Sequence, residues 1–243
     1  MLVQHDNSDD GLPLGAPPSR PNLMSVVATP ELGPRHQLAY QEWLGILQQE
    51  AQSIAERAPD NLSILAGDSI SLWFPPEILP PEQQWLNQGI SGETSSGLLA
   101  RLYLFDDTRP DQIFVMIGIN DLIQGIDADI VLKQHQAIIQ DLKQQHPRAE
   151  IIVQSILPHA GDQATWEGRD RLLRIPNTVI REVNDQLQAI AEQEKVEYLD
   201  LYPLFADPSG HLMPQLTTDG LHLSEQGYWV WRSALQSYNL SRR

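Results

Sequence analysis

The sequence predicts an α/β protein: one three-layer α/β/α domain on a parallel sheet of about five strands, flavodoxin-like in size. Three observations carry this. Apolar runs of strand length alternate with longer segments whose apolar residues recur at helical spacing, the pattern of βαβ units. Two of the runs, QIFVMIG (112–118) and AEIIVQSI (149–156), are apolar almost throughout, as expected where helices cover both faces of a parallel strand. The chain has 243 residues, 41% of them hydrophobic, which is enough for one large core. Right-handed crossovers then place helices on both faces of the sheet.

Residues 1–35 are rich in Pro, Gly and polar residues without sustained periodicity. They read as a flexible N-terminal arm ahead of a single domain over 36–243. A helix is expected over 37–57, where Leu44, Leu47, Ala51 and Ile54 form a stripe, and Pro59-Asp60 ends it. NLSILAG (61–67) reads as the first strand and WLNQGI (85–90) as a shorter, weaker second. SSGLLARLYLF (95–105) reads as a helix, and 112–118 is the third strand. The segment 127–146 is helical, with Val131, Ile138 and Leu142 on one stripe, and leads to the fourth strand at 149–156. A helix over 178–195 precedes the last strand, VEYLDL (196–201), and SEQGYWVWRSALQSY (224–238) closes the chain as a helix.

Composition narrows the function classes. Acidic residues outnumber basic ones 32 to 16, a formal charge of −16. Such a surface repels polyanions, so neither nucleic acid nor an anionic membrane surface is an expected partner. No cysteine is present, which excludes disulfides, thiolate metal sites and a cysteine nucleophile. No apolar run approaches the ~18 residues of a membrane span, and the acidic start MLVQHDNSDDG lacks the apolar core of a signal peptide. The expected location is cytoplasmic. No His/Asp/Glu spacing suggests a metal site, and the glycine-rich GISGETSSG lacks the Lys-Ser/Thr pair of a P-loop. No metal or cofactor is expected.

In open α/β sheets, ligands bind outside the carboxyl ends of the strands. There this sequence sets its polar residues. Strand one ends in Gly67-Asp68-Ser69, strand two in a loop with Gly89 and Gly92, strand three in Gly118-Ile119-Asn120-Asp121, and strand four in Ser155 to His159. Near the C-terminus, Asp219 and His222 stand three residues apart in TTDGLHL. A serine hydroxyl becomes a nucleophile once a base takes its proton. An imidazole suits that task, since it titrates near ~6.5 when unperturbed, and a carboxylate can hold the ring's tautomer. Ser69 is the candidate nucleophile, His222 the base and Asp219 the orienting group. The resulting oxyanion needs preorganised donors, for which the Ser69 N–H, the Gly92 N–H and the Asn120 amide are candidates. Each residue has a plainer reading: Ser69 and Asp68 as helix caps, Asn120 and Asp121 as turn residues, Gly89 and Gly92 as turn glycines, and His222 as a surface histidine. Asp121 and Gly89 fit the plainer reading better.

LAGDSIS, NQGISGETSSGLLARL, MIGINDL and TTDGLHLSEQGY together resemble the four sequence blocks of the SGNH (GDSL-type) hydrolase family, over roughly residues 61–238. Ser69, Gly92, Asn120 and His222 match the four residues that name the family, with Asp219 in its D-x-x-H position. The second and third blocks are most similar to the platelet-activating-factor acetylhydrolase catalytic-subunit branch. The α/β-hydrolase elbow G-x-S-x-G is not met, because Ser71 stands where its second glycine would be. The resemblance implies the SGNH hydrolase fold and a cofactor-free serine esterase or lipase-like enzyme. It would act through an acyl-enzyme with Ser69, Asp219 and His222 as triad and Ser69, Gly92 and Asn120 as oxyanion hole. The alternatives are a non-catalytic interaction protein that keeps the fold, and an acyltransferase that uses the same site. The expected partner is a small-molecule ester. Its identity and any homo-oligomer are left open.

The remaining residues read more plainly. His135 lies on the apolar stripe of its helix and reads as a part-buried core histidine. His146 suits a helix C-terminus. His5, His36 and His211 fall in loops, and His159 follows strand four at the site's edge. Trp73 and Phe74 are expected to return to the core or border the pocket, and Trp229 and Trp231 to serve core or interface. Residues 159–177, with Trp166, Leu172, Arg169, Arg171 and Arg174, are the expected pocket wall.

Overall fold

The computed structural model describes residues 38–241. The expected arm over residues 1–35 lies outside the described residues. Five strands, β1 (Leu62–Gly67), β2 (Gln84–Gly89), β3 (Gln112–Met116), β4 (Glu150–Gln154) and β5 (Glu197–Leu199), form one sheet in the order β2-β1-β3-β4-β5. Every pairing is parallel. This is the doubly wound flavodoxin-like order, in which the crossover direction reverses beside β1. The helices are α1 (Tyr40–Arg57), α2 (Ser69–Leu72), α3 (Ser95–Ala100), α4 (Ile119–Ile123), α5 (Ala128–Gln145), α6 (Arg169–Leu172), α7 (Asn177–Glu194), α8 (Tyr202–Phe205) and α9 (Glu225–Leu240). No helix among the described residues is long and apolar enough to cross a membrane.

Alternate residues of β1 and β3 divide between two buried clusters, as the pleat requires. Ile64, Ala66, Ile113 and Val115 pack with Ala51 and Ile54 of α1, Leu98 of α3 and Ile138 and Leu142 of α5. Leu65, Phe114 and Met116 point the other way, to Phe74 and to Trp231 and Leu235 of α9. Both faces are therefore apolar, and the strands read as continuous runs rather than alternating ones. Trp231 is fully buried and donates its indole N–H to Gln154 at 2.7 Å. Trp229 remains 45% exposed, with Arg232 over its ring.

Three local expectations are corrected. The buried stripe of α1 is Trp43, Leu47, Ala51 and Ile54 rather than one through Leu44. Steps of four, four and three track a straight helix, and the larger Trp43 takes the inner position. The segment 95–105 is not one helix: α3 ends at Ala100 and a 3-10 turn, Leu102–Phe105, follows. Its carbonyls bond at the tighter spacing, Leu98 to Arg101 and Arg101 to Leu104. His135 is fully rather than partly buried, with Nε2 3.1 Å from the Ile117 carbonyl oxygen.

Burial pushes the His135 ring down to about 4 from the ordinary histidine range. Protonation would place a hydrogen on Nδ1, which is buried without a hydrogen-bond partner. The unfolded chain therefore binds a proton that the fold refuses as pH falls from about 6.5 to 4. Stability held at neutral pH is lost across that window, by about 2–3 kcal/mol at pH 4.5. Urea unfolding at pH 7 and 4.5 should show a smaller acid loss in His135→Gln than in the wild type; equal losses would disprove the assignment.

Candidate active site

Ser69 is the first residue of α2, directly after β1. Asp68 caps that helix, its Oδ1 accepting the Ile70 N–H at 2.9 Å. Crowding at the exit from β1 demands the glycine at position 67. A Cβ there would meet the Met116 carbonyl and the Ser71 hydroxyl. Gly89, at the end of β2, is likewise pressed against the backbone of Leu72 and Asp68. Both contacts seat α2 tightly on the ends of β1, β2 and β3.

His222 lies 153 residues later, with Nε2 3.2 Å from the Ser69 hydroxyl. Its Nδ1 is 2.7 Å from Asp219 Oδ2. An ionised carboxylate can only accept, so Nδ1 is the donor and Nε2 of the neutral ring faces Ser69 as acceptor. Asp219 Oδ1 also accepts the N–H groups of Leu221 and His222. Burial pushes the Asp219 carboxyl up, but the His222 ring and these two N–H donors together hold it below the ordinary aspartate value. The turn is closed by Thr217, whose hydroxyl donates to the His222 carbonyl and accepts from Gly220 N–H. Ser69 and His222 are buried, 5% and 7% exposed, rather than lying at an open rim. The Trp73 ring stands 4.3 Å from the His222 ring, centroid to centroid, so Trp73 borders the site while Phe74 joins the core.

Asn120, the second residue of α4, points its amide to the Glu93 carbonyl at 3.0 Å and Asp68 Oδ2 at 3.4 Å. It is delivered there by Gly118, whose φ of 124° only glycine adopts readily. The structure thus joins the ends of β1, β2 and β3 at one amide group. Gly92 is required by its backbone angle rather than by crowding. A Cβ there would meet nothing within 4 Å, but φ is +76°, in the left-handed region. Among the described residues, neither the Ser69 nor the Gly92 N–H has an acceptor in the protein. The Ser69 N–H, unpaired at the start of α2, and the Gly92 N–H, unpaired in the turn before α3, suit a developing anion.

Other polar residues have structural partners. Asp121 accepts the Ser95 N–H and hydroxyl, and burial raises its carboxyl despite those bonds. Asp68 is pushed up to about 7 by burial, against the Ile70 N–H and nearby His222. His159 bonds to the backbone at both ring nitrogens, at Ile175 and Gly161. The loop expected as a pocket wall also braces the Asp219 turn. Thr165 and Trp166 donate their N–H groups to the Asp219 carbonyl, Ala160 donates to that of Gly220, and Leu172 is core. Sequence reasoning missed Glu93 and Arg101, which form a buried ion pair behind the site. A charged residue between Leu98 and Leu102 on the buried side of a helix was the available signal.

A profile described as the GDSL-like Lipase/Acylhydrolase family matches residues 53–230. Platelet-activating factor acetylhydrolase IB subunit alpha1 from Bos taurus is 30% identical over 154 residues, 63% of this chain and 62% of that protein. The human protein of that name matches at the same identity. The chain thus spans about 62% of the length of the curated relatives it matches. A solved structure from Streptococcus pneumonia, described as a platelet activating factor, superposes with a TM-score of 0.72 and 28% identity, over 82% of this chain and 93% of that one. A GDSL-like lipase from Bacteroides thetaiotaomicron superposes with a TM-score of 0.68, over 82% of this chain and all of its own, at 19% identity that speaks for the fold alone. With the profile covering every strand from β1 to β5 and reaching into the start of α9, the chain belongs to the GDSL-like lipase/acylhydrolase family.

Proposed function

We propose that this protein is a serine ester hydrolase that works through an acyl-enzyme. The observation that carries the reading is the hydrogen-bonded series Ser69 Oγ, His222 Nε2, His222 Nδ1, Asp219 Oδ2, drawn from segments 153 residues apart in the chain. His222 takes the Ser69 proton as Oγ bonds to the ester carbonyl carbon. The carbonyl electrons move to oxygen, where the Ser69 N–H, the Gly92 N–H and the Asn120 amide receive the charge. As the tetrahedral centre collapses, the C–O bond to the alcohol breaks and His222 returns the proton to the leaving oxygen. Water, deprotonated by His222, then attacks the acyl-Ser69 carbonyl and restores the serine. Asp219 holds the ring with Nδ1–H bonded and stabilises the imidazolium that forms. The similar bovine and human proteins are acetylhydrolase subunits, which supports a short acyl group as substrate.

The test is release of p-nitrophenol from p-nitrophenyl acetate and its longer-chain homologues. The expected result is saturable turnover, highest with the short acyl groups. No release above the buffer rate with any chain length would reject the hydrolase in favour of a non-catalytic protein on the same fold.

A further inference from the structure

The buried Arg101 bonds to the segments that supply the Ser69 and Gly92 donors and, through Glu93, reaches the third donor, Asn120. It is 1% exposed. Its Nη2 donates to the Gly67 carbonyl at 3.0 Å, two residues before Ser69, and its Nη1 donates to the Gln88 carbonyl at 2.8 Å, on the strand that leads to Gly92. Its Nε donates to Glu93 Oε2 at 2.8 Å. Glu93 follows Gly92, and its carbonyl receives the Asn120 amide. The same carboxylate accepts the hydroxyl of Tyr40, from the start of α1, at 3.3 Å. We propose that Arg101 is a positioning residue for the oxyanion hole. Its guanidinium fixes the ends of β1 and β2 against each other and, through Glu93, the place of the Asn120 amide.

This inference rests on the hydrolase reading and deepens it. Burying an ion pair costs desolvation that apolar residues of similar volume would avoid, so stability alone is a poor reason for one here. Geometry is a better reason. A planar guanidinium offers N–H groups in a fixed fork, so bonds to two strand ends and a carboxylate constrain all three together. A lysine keeps the charge but lacks the fork. The donors must meet an oxygen whose charge exists only in the transition state, so misplacing them should lower kcat and leave KM nearly alone.

The experiment uses the full chain with p-nitrophenyl acetate. Arg101→Lys should lower kcat by about 10- to 100-fold, with KM within about threefold of wild type. Made in an Asn120→Ala background, the same change should cost only a few-fold, because one of the donors it positions is already gone. Glu93→Gln keeps the shape of the site, removes the carboxylate and should show the same split; it serves if Arg101→Lys does not fold. Unchanged kcat in a folded variant, or an equal penalty in both backgrounds, overturns the positioning role. A wild type inactive toward the ester overturns the hydrolase reading itself, and this one with it.

Discussion

Ser69→Ala should abolish ester hydrolysis, lowering kcat by a factor on the order of 10³ or more. Without the hydroxyl no acyl-enzyme forms, and only the slow attack of water in the preorganised site is left. The stability cost should be small. The hydroxyl's hydrogen bond is to His222 at 3.2 Å, and a bond of this kind contributes about 1 kcal/mol. Asp68 still caps α2, and alanine suits the first helical turn. Steady-state assays on purified protein, with circular dichroism and urea unfolding as controls, separate the two effects. Wild-type turnover in a folded Ser69→Ala would exclude this serine as the nucleophile.

Asn120→Ala should lower kcat by roughly 10²- to 10³-fold with little change in KM, a loss of about 2.7–4 kcal/mol in the transition state. The amide nitrogen is held by the Glu93 carbonyl at 3.0 Å and lies a longer 3.4 Å from Asp68 Oδ2. If Asn120 merely closed the turn after β3, its removal would instead cost about 1 kcal/mol of stability and leave kcat alone. Asn120→Asp should be more harmful than alanine. It would turn a carboxylate toward the Glu93 carbonyl and Asp68, an acceptor against two acceptors, before any oxyanion forms. Wild-type kcat in both folded variants would remove Asn120 from the mechanism.

Much of this architecture is legible in the chain because it is written in local patterns. Continuous apolar runs mark β1, β3 and β4. A stripe at helical spacing marks α5, and the boundaries expected for α5, α7 and α9 agree within a few residues. The short helices α6 and α8 carry too few turns to show a period, so neither was anticipated. The candidate residues Ser69, Gly92, Asn120, Asp219 and His222 could be named because each follows a strand end or stands in a compact motif.

The sequence by itself determined the fold class, the parallel sheet and the set of side chains available at its carboxyl edge. Periodicity is a relation between near neighbours, and that is all such statements require. Only the tertiary structure decided which distant groups meet. Ser69 and His222 touch across 153 residues because the strand order brings the end of β1 beside the turn before α9. Arg101 and Glu93 have the residue types of a solvated surface, and no spacing rule separates a buried pair from an exposed one. Their burial depends on where β2, α1 and α3 converge, and the Gly67 and Gln88 carbonyls that receive the guanidinium lie on β1 and β2. A desolvated charge must find its partners in three dimensions, so its place becomes visible only when the whole fold is present.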